Sequence, residues 1–303
     1  MKPPHYPPAA QPRAVACDVA AHAWVRVPLE SLPELRRMPG PGCDVPLPLS
    51  ALKQADEQTV AAISAVYHAV HRFGLSVASF RDWGVLAAPY YMGRPALAAA
   101  MQRYQVEGAW GASPHLTAHR SLHSPSGTIS QIFKIHGPNF GVCGGPGCAT
   151  EVLAAAGAMI DAKRVPGAWV VLTALDPDTA PDRSGVHAPG THCAALALAL
   201  TPPRLSTASG IRLRITAGGA YPMPLPTGDL APALDLFGLN AVLDALTQEK
   251  EISRAAFILP MEAGGRVEVE KIGRWTEHAL RNGDGANLEA RLRSPLPLAE
   301  AKR

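Results

Sequence analysis

Apolar residues recur at two different periods along this chain, and the two periods predict alternating helices and strands. In AISAVYHAVHRF (62–73) they recur every third or fourth position from Ile63 to Val70, which is typical of one face of a helix. Gly74 follows and predicts the end of that helix. The whole segment 51–73 therefore reads as one helix after an irregular, proline-rich stretch.

Other segments repeat these patterns along most of the chain. Alanine-rich or amphipathic stretches predict helices at 94–105, 149–164 and 235–251. Apolar or alternating runs predict strands at 83–91, within 136–145 after a turn, at 168–175, at 192–200, at 211–219 and, as a hairpin, within 255–273. The alanines of 192–200 would also suit a helix, so two assignments stay open there.

Strands and helices that alternate, with strongly apolar strands, predict a layered α/β fold. We expect residues 1–13 to be a flexible proline-rich tail and residues 14–281 to form a single domain. Residues 282–303 are polar, with scattered leucines and prolines, and predict a loose C-terminal tail.

Composition excludes several classes of protein. The net charge is only +3 in 303 residues, without a dense run of Lys and Arg, so nucleic-acid binding is not expected. No stretch approaches the roughly 20 apolar residues of a membrane helix. The N-terminus lacks an apolar signal core, and five cysteines, an odd count, predict no disulfide framework. We therefore expect a cytoplasmic protein.

Cys148 is the residue with the clearest chemical potential. It follows a glycine-proline turn (144–147) and opens the predicted helix 149–164. A helix N-terminus presents unpaired N–H groups and the positive end of the helix dipole, both of which stabilise a thiolate. The alternative is a buried structural cysteine in a tight corner, since free cysteine is among the most buried residue types.

The surrounding segment, 126–174, resembles the nucleophile region of the β-ketoacyl synthases of the thiolase superfamily. The motifs that carry the resemblance are HGPN (136–139), CAT (148–150), the alanine-rich helix through Ala158, and GAWVV (167–171). SGVHAPGTHCAALALAL (184–200) is similar to a later, glycine-rich segment of the family. The resemblance covers about residues 35–200 and implies a thiolase-like layered α/β fold with a reduced C-terminal part at about 201–281.

The resemblance also implies site residues. Cys148 corresponds to the nucleophile, and His187 falls beside the family's pocket-gating position, where it is a candidate base. Gly147, Ala149, Val186 and His192 would lie along the substrate. The interval from Gly137-Pro138 to Cys148 is longer than in the family, which would place Pro146 at the nucleophile position instead.

Two catalytic histidines of the family have no counterpart here. After residue 200 the chain has one histidine, His278, and its surroundings match neither family motif. Decarboxylative condensation needs donors that stabilise an enolate, whereas acyl transfer requires a thiolate, an oxyanion hole and a pocket. The sequence thus favours acyl-thioester binding or acyl transfer through Cys148 in fatty-acid- or polyketide-type biosynthesis. The alternative is a non-catalytic partner of a complete ketosynthase, similar to a chain length factor.

By resemblance, the expected partners are an acyl carrier protein or an acyl-coenzyme A thioester, and either a second copy or a complete ketosynthase as dimer partner. No cofactor is expected, because the glycine-rich stretches match no nucleotide-binding motif. The histidines of HLTAHRSLH (115–123) have a spacing that can bind zinc. No acidic ligand accompanies them, so no metal is expected.

Overall fold

A computed structural model of the chain shows a mixed α/β architecture built on one sheet. The residues described are 14–37, 40, 52–53, 55–111, 119–142, 147–177, 187–204, 209–217, 257–261 and 264–272. Both predicted tails, the predicted helix 235–251, Cys143, Pro146 and Val186 lie outside them, so the expectations for these residues stay predictions. The same holds for the domain bounds.

The strands and helices follow the predicted alternation. The strands are β1 Ala14–Pro28, β2 Gly84–Pro89, β3 Asn139–Gly141, β4 Ala168–Asp176, β5 His192–Thr201, β6 Ile211–Ala217, β7 Phe257–Pro260 and β8 Gly265–Lys271. The helices are α1 Leu32–Arg37, α2 Glu57–Arg72, α3 Arg94–Glu107, α4 Ser124–Ile132 and α5 Cys148–Asp161. Short 3-10 turns span Leu29–Ser31, Val77–Phe80 and Gly108–Gly111.

The described strands form one eight-stranded sheet in the order β3-β2-β4-β5-β1-β6-β8-β7. β3 and β4 both pair with β2 in parallel, and the pairs from β4 through β7 are antiparallel. The C-terminal hairpin therefore extends the sheet of the N-terminal part. The 192–200 segment is a strand, and its alanines pack where β5 lies buried between β4 and β1.

Each face of the sheet carries its own hydrophobic cluster. On one face α5 packs through Val152, Leu153 and Ala156 against inward-facing residues of β4, β5 and β6. On the other face α2 and α4 pack against the alternate residues of the same strands. The alternation places Val170 on the α5 face and Val171 on the α2 face. The buried helix expected behind Cys148 is confirmed.

Residues 14–28, for which no element was predicted, form the longest described strand and pair on both sides. A register irregularity between Val19 and Ala21 interrupts the alternation of apolar residues there. That bulge, together with the many alanines of β1, weakens the two-residue period on which a strand prediction depends.

Glycine permits a close backbone approach in the turn before β3. A Cβ atom at Gly137 would lie 2.1 Å from the carbonyl oxygen of Trp83, the residue that precedes β2. Only glycine fits there, so Gly137 of the HGPN motif permits the turn that places β3 in register beside β2.

Candidate functional site

The carboxyl ends of three parallel strands meet at one edge of the sheet, and α5 begins there. β2, β3 and β4 run in the same direction, so Pro89, Gly141 and Asp176 end at the same edge. Cys148, the first residue of α5, shares a buried cluster with Ala88 of β2 and Ala174 of β4. In open α/β sheets this edge is where ligands characteristically bind.

The turn into α5 has the geometry of a helix start. Gly147 precedes the helix with φ of +78°, a left-handed conformation that is costly for any residue with a Cβ atom. Its carbonyl oxygen accepts hydrogen bonds from the Thr150 N–H at 3.1 Å, from the Thr150 hydroxyl at 2.9 Å and from the Glu151 N–H at 3.2 Å. These bonds hold the first turn and so fix where Cys148 lies.

Cys148 and Ala149 are both buried, with 4% and 5% of their surfaces exposed. The helix N-terminus favours a thiolate, whereas the apolar surroundings restrict access of water and reagents to the sulfur. The position of Cys148 at the start of α5 agrees with the sequence analysis. Its role, and those of Gly147 and Ala149, stay predictions.

The two other described cysteines lie in settings that suppress thiolate formation. Burial and the nearby carboxylates of Asp18 and Asp161 raise the pKa of Cys17 to about 12. Burial, with a smaller contribution from Asp56 and Glu57, raises the pKa of Cys193 well above its usual range. Both thiols therefore stay protonated and act as core residues.

His187 lines a pocket of about 450 Å³ on the α2 side of the sheet. The lining residues are Leu29, Glu30, Leu32, Pro33, Arg36, Glu57 and the segment His187–Thr191. Nδ1 of His187 is buried and has no hydrogen-bond partner among the described residues. Cys148 is not one of the lining residues and belongs to the cluster on the α5 face. The described residues do not bring the candidate base and the candidate nucleophile together.

His192 begins β5, opposite Asp176 of β4. Its Nδ1 lies 2.7 Å from the carbonyl oxygen of Gly190, so this nitrogen carries the proton and donates. His192 thereby stabilises the turn that leads into β5. Its expected contact with a substrate stays a prediction.

A buried polar group at the same edge escaped the sequence analysis. The Thr173 hydroxyl of β4 donates to Oε1 of Gln58 at 2.7 Å, and Nε2 of Gln58 donates to the carbonyl oxygen of Tyr90 at 3.1 Å. One amide thus joins α2 to β4 and to the residue after β2. Nothing in a single glutamine signals this position, because its two partners are distant in sequence.

Asp56 caps α2 beside this group. Its Oδ1 accepts a hydrogen bond from the Thr59 N–H at 2.7 Å, so α2 begins at Glu57 and not at residue 51, where the sequence analysis had placed its start. Burial outweighs that hydrogen bond and raises the pKa of Asp56 to about 7. The side chain of Asp56 therefore titrates near neutrality, and it lies close to the sheet edge at which β2, β3 and β4 end.

Arg36 and Arg120 converge on Glu57 in the first turn of α2. The distances to its carboxylate are 4.0 Å and 3.5 Å. Arg36 also donates to the carbonyl oxygens of Leu52 and Ala55, each at 2.6 Å. Through these contacts Arg36 connects α1 to the start of α2 at the wall of the pocket.

Two observations bear on membrane helices and metal sites, and both concern the described residues only. In the described residues no helix is long and apolar enough to cross a membrane, and no group of three His, Cys, Asp or Glu residues is arranged to hold a metal ion. Of the histidines in HLTAHRSLH (115–123), whose spacing can bind zinc, His115 lies outside the described residues. Nδ1 of His123 is 3.3 Å from the Ser126 hydroxyl.

Comparison with known sequences gives no family assignment. No protein-family model matches the chain, and no curated protein matches it.

Comparison with solved structures identifies the fold. A type II polyketide synthase acyl carrier protein in complex with its ketosynthase bound to the hexaketide matches with a TM-score of 0.55 and 10% identity, over 86% of this chain and 100% of that chain. The ishigamide ketosynthase/chain length factor matches with a TM-score of 0.53 and 14% identity, over 85% of this chain and 100% of that chain.

A ketosynthase in complex with its chain length factor from Xenorhabdus doucetiae matches with a TM-score of 0.50 and 11% identity, over 85% of this chain and 100% of that chain. The chain therefore has the thiolase-like fold of the ketosynthases. The likeness extends well beyond residues 35–200, the part that the sequence motifs had indicated.

Proposed function

We propose that the chain is a ketosynthase-like subunit of fatty-acid- or polyketide-type biosynthesis in the cytoplasm, and that it accepts an acyl group at Cys148. The observation that carries the proposal is the position of Cys148. It is the first residue of a buried helix that begins at the carboxyl edge of the sheet, in a chain with a thiolase-like fold. The acyl group would arrive as a thioester of an acyl carrier protein or of coenzyme A.

The reaction is a transthioesterification. The Cys148 thiolate attacks the thioester carbonyl, and a carbon–sulfur bond forms between its Sγ atom and the acyl group. The bond to the carrier's sulfur breaks, and the carrier leaves as a thiolate that takes up the proton lost by Cys148. Backbone N–H groups at the start of α5 stabilise the negative charge on the carbonyl oxygen. His187 is the base that the resemblance suggests, and its use requires a movement that takes it from the pocket on the α2 side to Cys148.

The test is acylation of the purified full-length chain by a panel of short acyl-coenzyme A and acyl-carrier-protein thioesters, read by intact mass. We expect one acyl adduct on the wild-type protein and none on Cys148→Ala. Cys17→Ala is the matched control, because Cys17 is also a buried free cysteine but its raised pKa keeps it protonated. An adduct that persists in Cys148→Ala, or that is lost equally in Cys17→Ala, would contradict the assignment.

A second function is favoured by the burial of Cys148 and by the missing histidines. With 4% of its surface exposed, Cys148 also suits a packing role. The chain would then act as a chain-length-factor-like partner that shapes the product of a complete ketosynthase. In that case no acyl adduct forms, and Cys148→Ala leaves the product distribution of a reconstituted pair unchanged. The two functions thus predict opposite results for the same variant.

A further inference from the structure

A single buried glutamine connects the two strands that flank Cys148. Gln58 of α2 bonds to Thr173 of β4 at 2.7 Å and to the carbonyl oxygen of Tyr90, the residue after β2, at 3.1 Å. A carbonyl oxygen can only accept a hydrogen bond, so Nε2 of Gln58 faces Tyr90 and Oε1 faces the Thr173 hydroxyl. The amide therefore has one orientation, in which both of its ends are used.

Tyr90 is the residue at which the chain leaves the sheet. Its N–H donates to the carbonyl oxygen of Thr173 at 2.7 Å, so it continues the pairing of β2 with β4. The next residue, Tyr91, has φ of +49°, a left-handed conformation that is unfavourable for a residue with a Cβ atom. The carbonyl group that Gln58 binds belongs to the peptide unit between Tyr90 and Tyr91. The Gln58 amide therefore holds this turn directly.

The side chain of Tyr90 lies on the opposite face of the sheet from Gln58. Successive side chains of a strand alternate between the two faces, and Leu86, Ala88 and Tyr90 all belong to the α5 face. There Tyr90 packs, half buried, against the cluster that contains Ala88 and Cys148. An amide on the α2 face thus controls an aromatic side chain on the α5 face.

The same relationship holds for β4. The Thr173 side chain faces Gln58, and the next residue, Ala174, lies in the cluster with Cys148. The ends of β2 and β4 therefore both contribute to the surroundings of Cys148 and are both bonded to one amide. A change at Gln58 should reach the thiol without any direct contact between the two side chains.

We infer that Gln58 is a positioning residue for Cys148: its amide fixes the end of β2 so that Tyr90 covers the thiol and keeps it aligned for acyl transfer. The part of this inference that concerns acyl transfer rests on the proposed function. Alignment is decisive in such a reaction, since a misplacement of about 1 Å can cost about a hundredfold in rate.

Loss of the amide should have two opposite effects on Cys148. Acyl transfer should slow because the alignment is lost, whereas alkylation by a small reagent should accelerate because Tyr90 no longer covers the sulfur. A general loss of stability would instead accelerate alkylation of every buried cysteine. Cys17 and Cys193 are buried in the same chain and report on such a general loss.

The test compares the full-length wild type with Gln58→Met, because methionine is also unbranched but offers almost no hydrogen bonding. Acylation by butyryl-coenzyme A is followed by intact mass, and iodoacetamide labelling is followed by peptide mapping. We expect acylation to slow about tenfold or more. Among the described cysteines, labelling should accelerate at Cys148 alone, by about tenfold for the loss of one hydrogen bond.

Asp18→Asn is the matched control. It removes buried hydrogen bonds of similar strength between β1 and β6, in another part of the sheet. Because distant sites act independently, both rates at Cys148 should stay within about twofold of the wild type.

Tyr90→Ala tests whether Gln58 acts through Tyr90. This variant should accelerate labelling of Cys148 as Gln58→Met does. Once the Tyr90 side chain is gone, the Gln58 amide has nothing left to hold over the thiol, so the double variant should label no faster than either single variant.

Unchanged labelling of Cys148 in Gln58→Met, or equal acceleration at Cys17, Cys148 and Cys193, overturns the inference. So does a double variant in which the two accelerations multiply, because Gln58 would then act independently of Tyr90. A wild type that takes up no acyl group refutes the proposed function only. The labelling rates, which need no acyl transfer, then decide the inference by themselves.

Discussion

Asp18 and Arg212 stand directly opposite each other on β1 and β6, and their side chains form an ion pair in which Asp18 is buried and Arg212 is partly exposed. Nε of Arg212 lies 2.7 Å from Oδ1 of Asp18, whose side chain is completely buried. Oδ2 of Asp18 accepts hydrogen bonds from Nη2 of Arg212 and from the Arg204 N–H. This pair joins the C-terminal strands to the rest of the sheet.

Asp18→Asn should lower the free energy of unfolding by about 2 kcal/mol, because it weakens the charge-assisted hydrogen bonds that the buried carboxylate accepts. The measurement is urea unfolding. Asp176→Asn is the comparison, since it breaks the Arg26–Asp176 pair at 2.9 Å, whose side chains are 41% and 40% exposed. That change should cost less than about 1 kcal/mol. Equal losses would show that the burial of Asp18 contributes nothing to the strength of its ion pair.

His22 should make the fold less stable as the pH falls. Its ring is buried against Phe73, 5.3 Å between centroids, and burial together with Arg72 lowers its pKa from 6.5 to about 4. Between pH 6.5 and 4 the unfolded chain binds a proton that the folded chain does not. The free energy of unfolding therefore decreases as the pH is lowered through that window. His22→Phe should remove this contribution, which is at most about 1.4 kcal/mol per pH unit. Unchanged pH dependence in the variant would refute it.

Asp56 should act in the opposite direction. Burial raises its pKa from 3.8 to about 7, so between pH 7 and 4 the folded chain holds a proton that the unfolded chain has released. Its contribution to stability therefore rises as the pH falls through that window. Asp56→Asn keeps a capping group for α2 but removes the titration. The variant should lose stability between pH 7 and 4 relative to the wild type, as read from urea midpoints at each pH.

Gln58 and Thr173 should be energetically coupled. Their side chains are 4% and 1% exposed, and the hydrogen bond between them is 2.7 Å long. Thr173→Val and Gln58→Leu should each cost about 1–3 kcal/mol, because each leaves a buried polar group without its partner. The double variant should cost less than the sum, by about 1 kcal/mol. Strict additivity in a double-mutant cycle would contradict the coupling.

Cys17 and Cys193 should resist alkylation in the folded protein. A pKa of about 12 leaves Cys17 almost without thiolate at pH 8. Burial raises the pKa of Cys193 as well, so this thiol is also protonated. Iodoacetamide should modify both at least about a hundredfold more slowly than in urea, where the thiols have ordinary pKa values. Peptide mapping by mass spectrometry measures each site. Rapid modification of either cysteine in the folded chain would contradict its assignment as a core residue.

Several elements of the fold follow from local sequence patterns. The helical period from Ile63 to Val70 lies within α2, and the apolar run 168–175 is β4. Gly147, the last residue of the glycine-proline segment, directly precedes α5, and the predicted hairpin is the antiparallel pair β7–β8. These patterns are informative because side-chain periodicity and turn conformation depend on residues only a few positions apart.

Other features became visible only in the tertiary structure. β5 is a strand because β4 and β1 bury it on both sides, although its alanines alone permit a helix. His187 and Cys148 are only 39 positions apart in the sequence, yet the described residues place them in surroundings on different faces of the sheet. Gln58 reaches a threonine that follows it by 115 positions.

The sequence by itself determined the alternation of elements, the likeness to ketosynthases and the place of Cys148 at the start of a helix, since each depends on short-range spacing. The tertiary structure decided which residues surround Cys148 and His187, which carboxyl group is buried enough to titrate near neutrality, and that Leu97, Met101 and Tyr104 of α3 are left exposed. Strand order and burial arise from contacts between distant segments, and no local pattern specifies them.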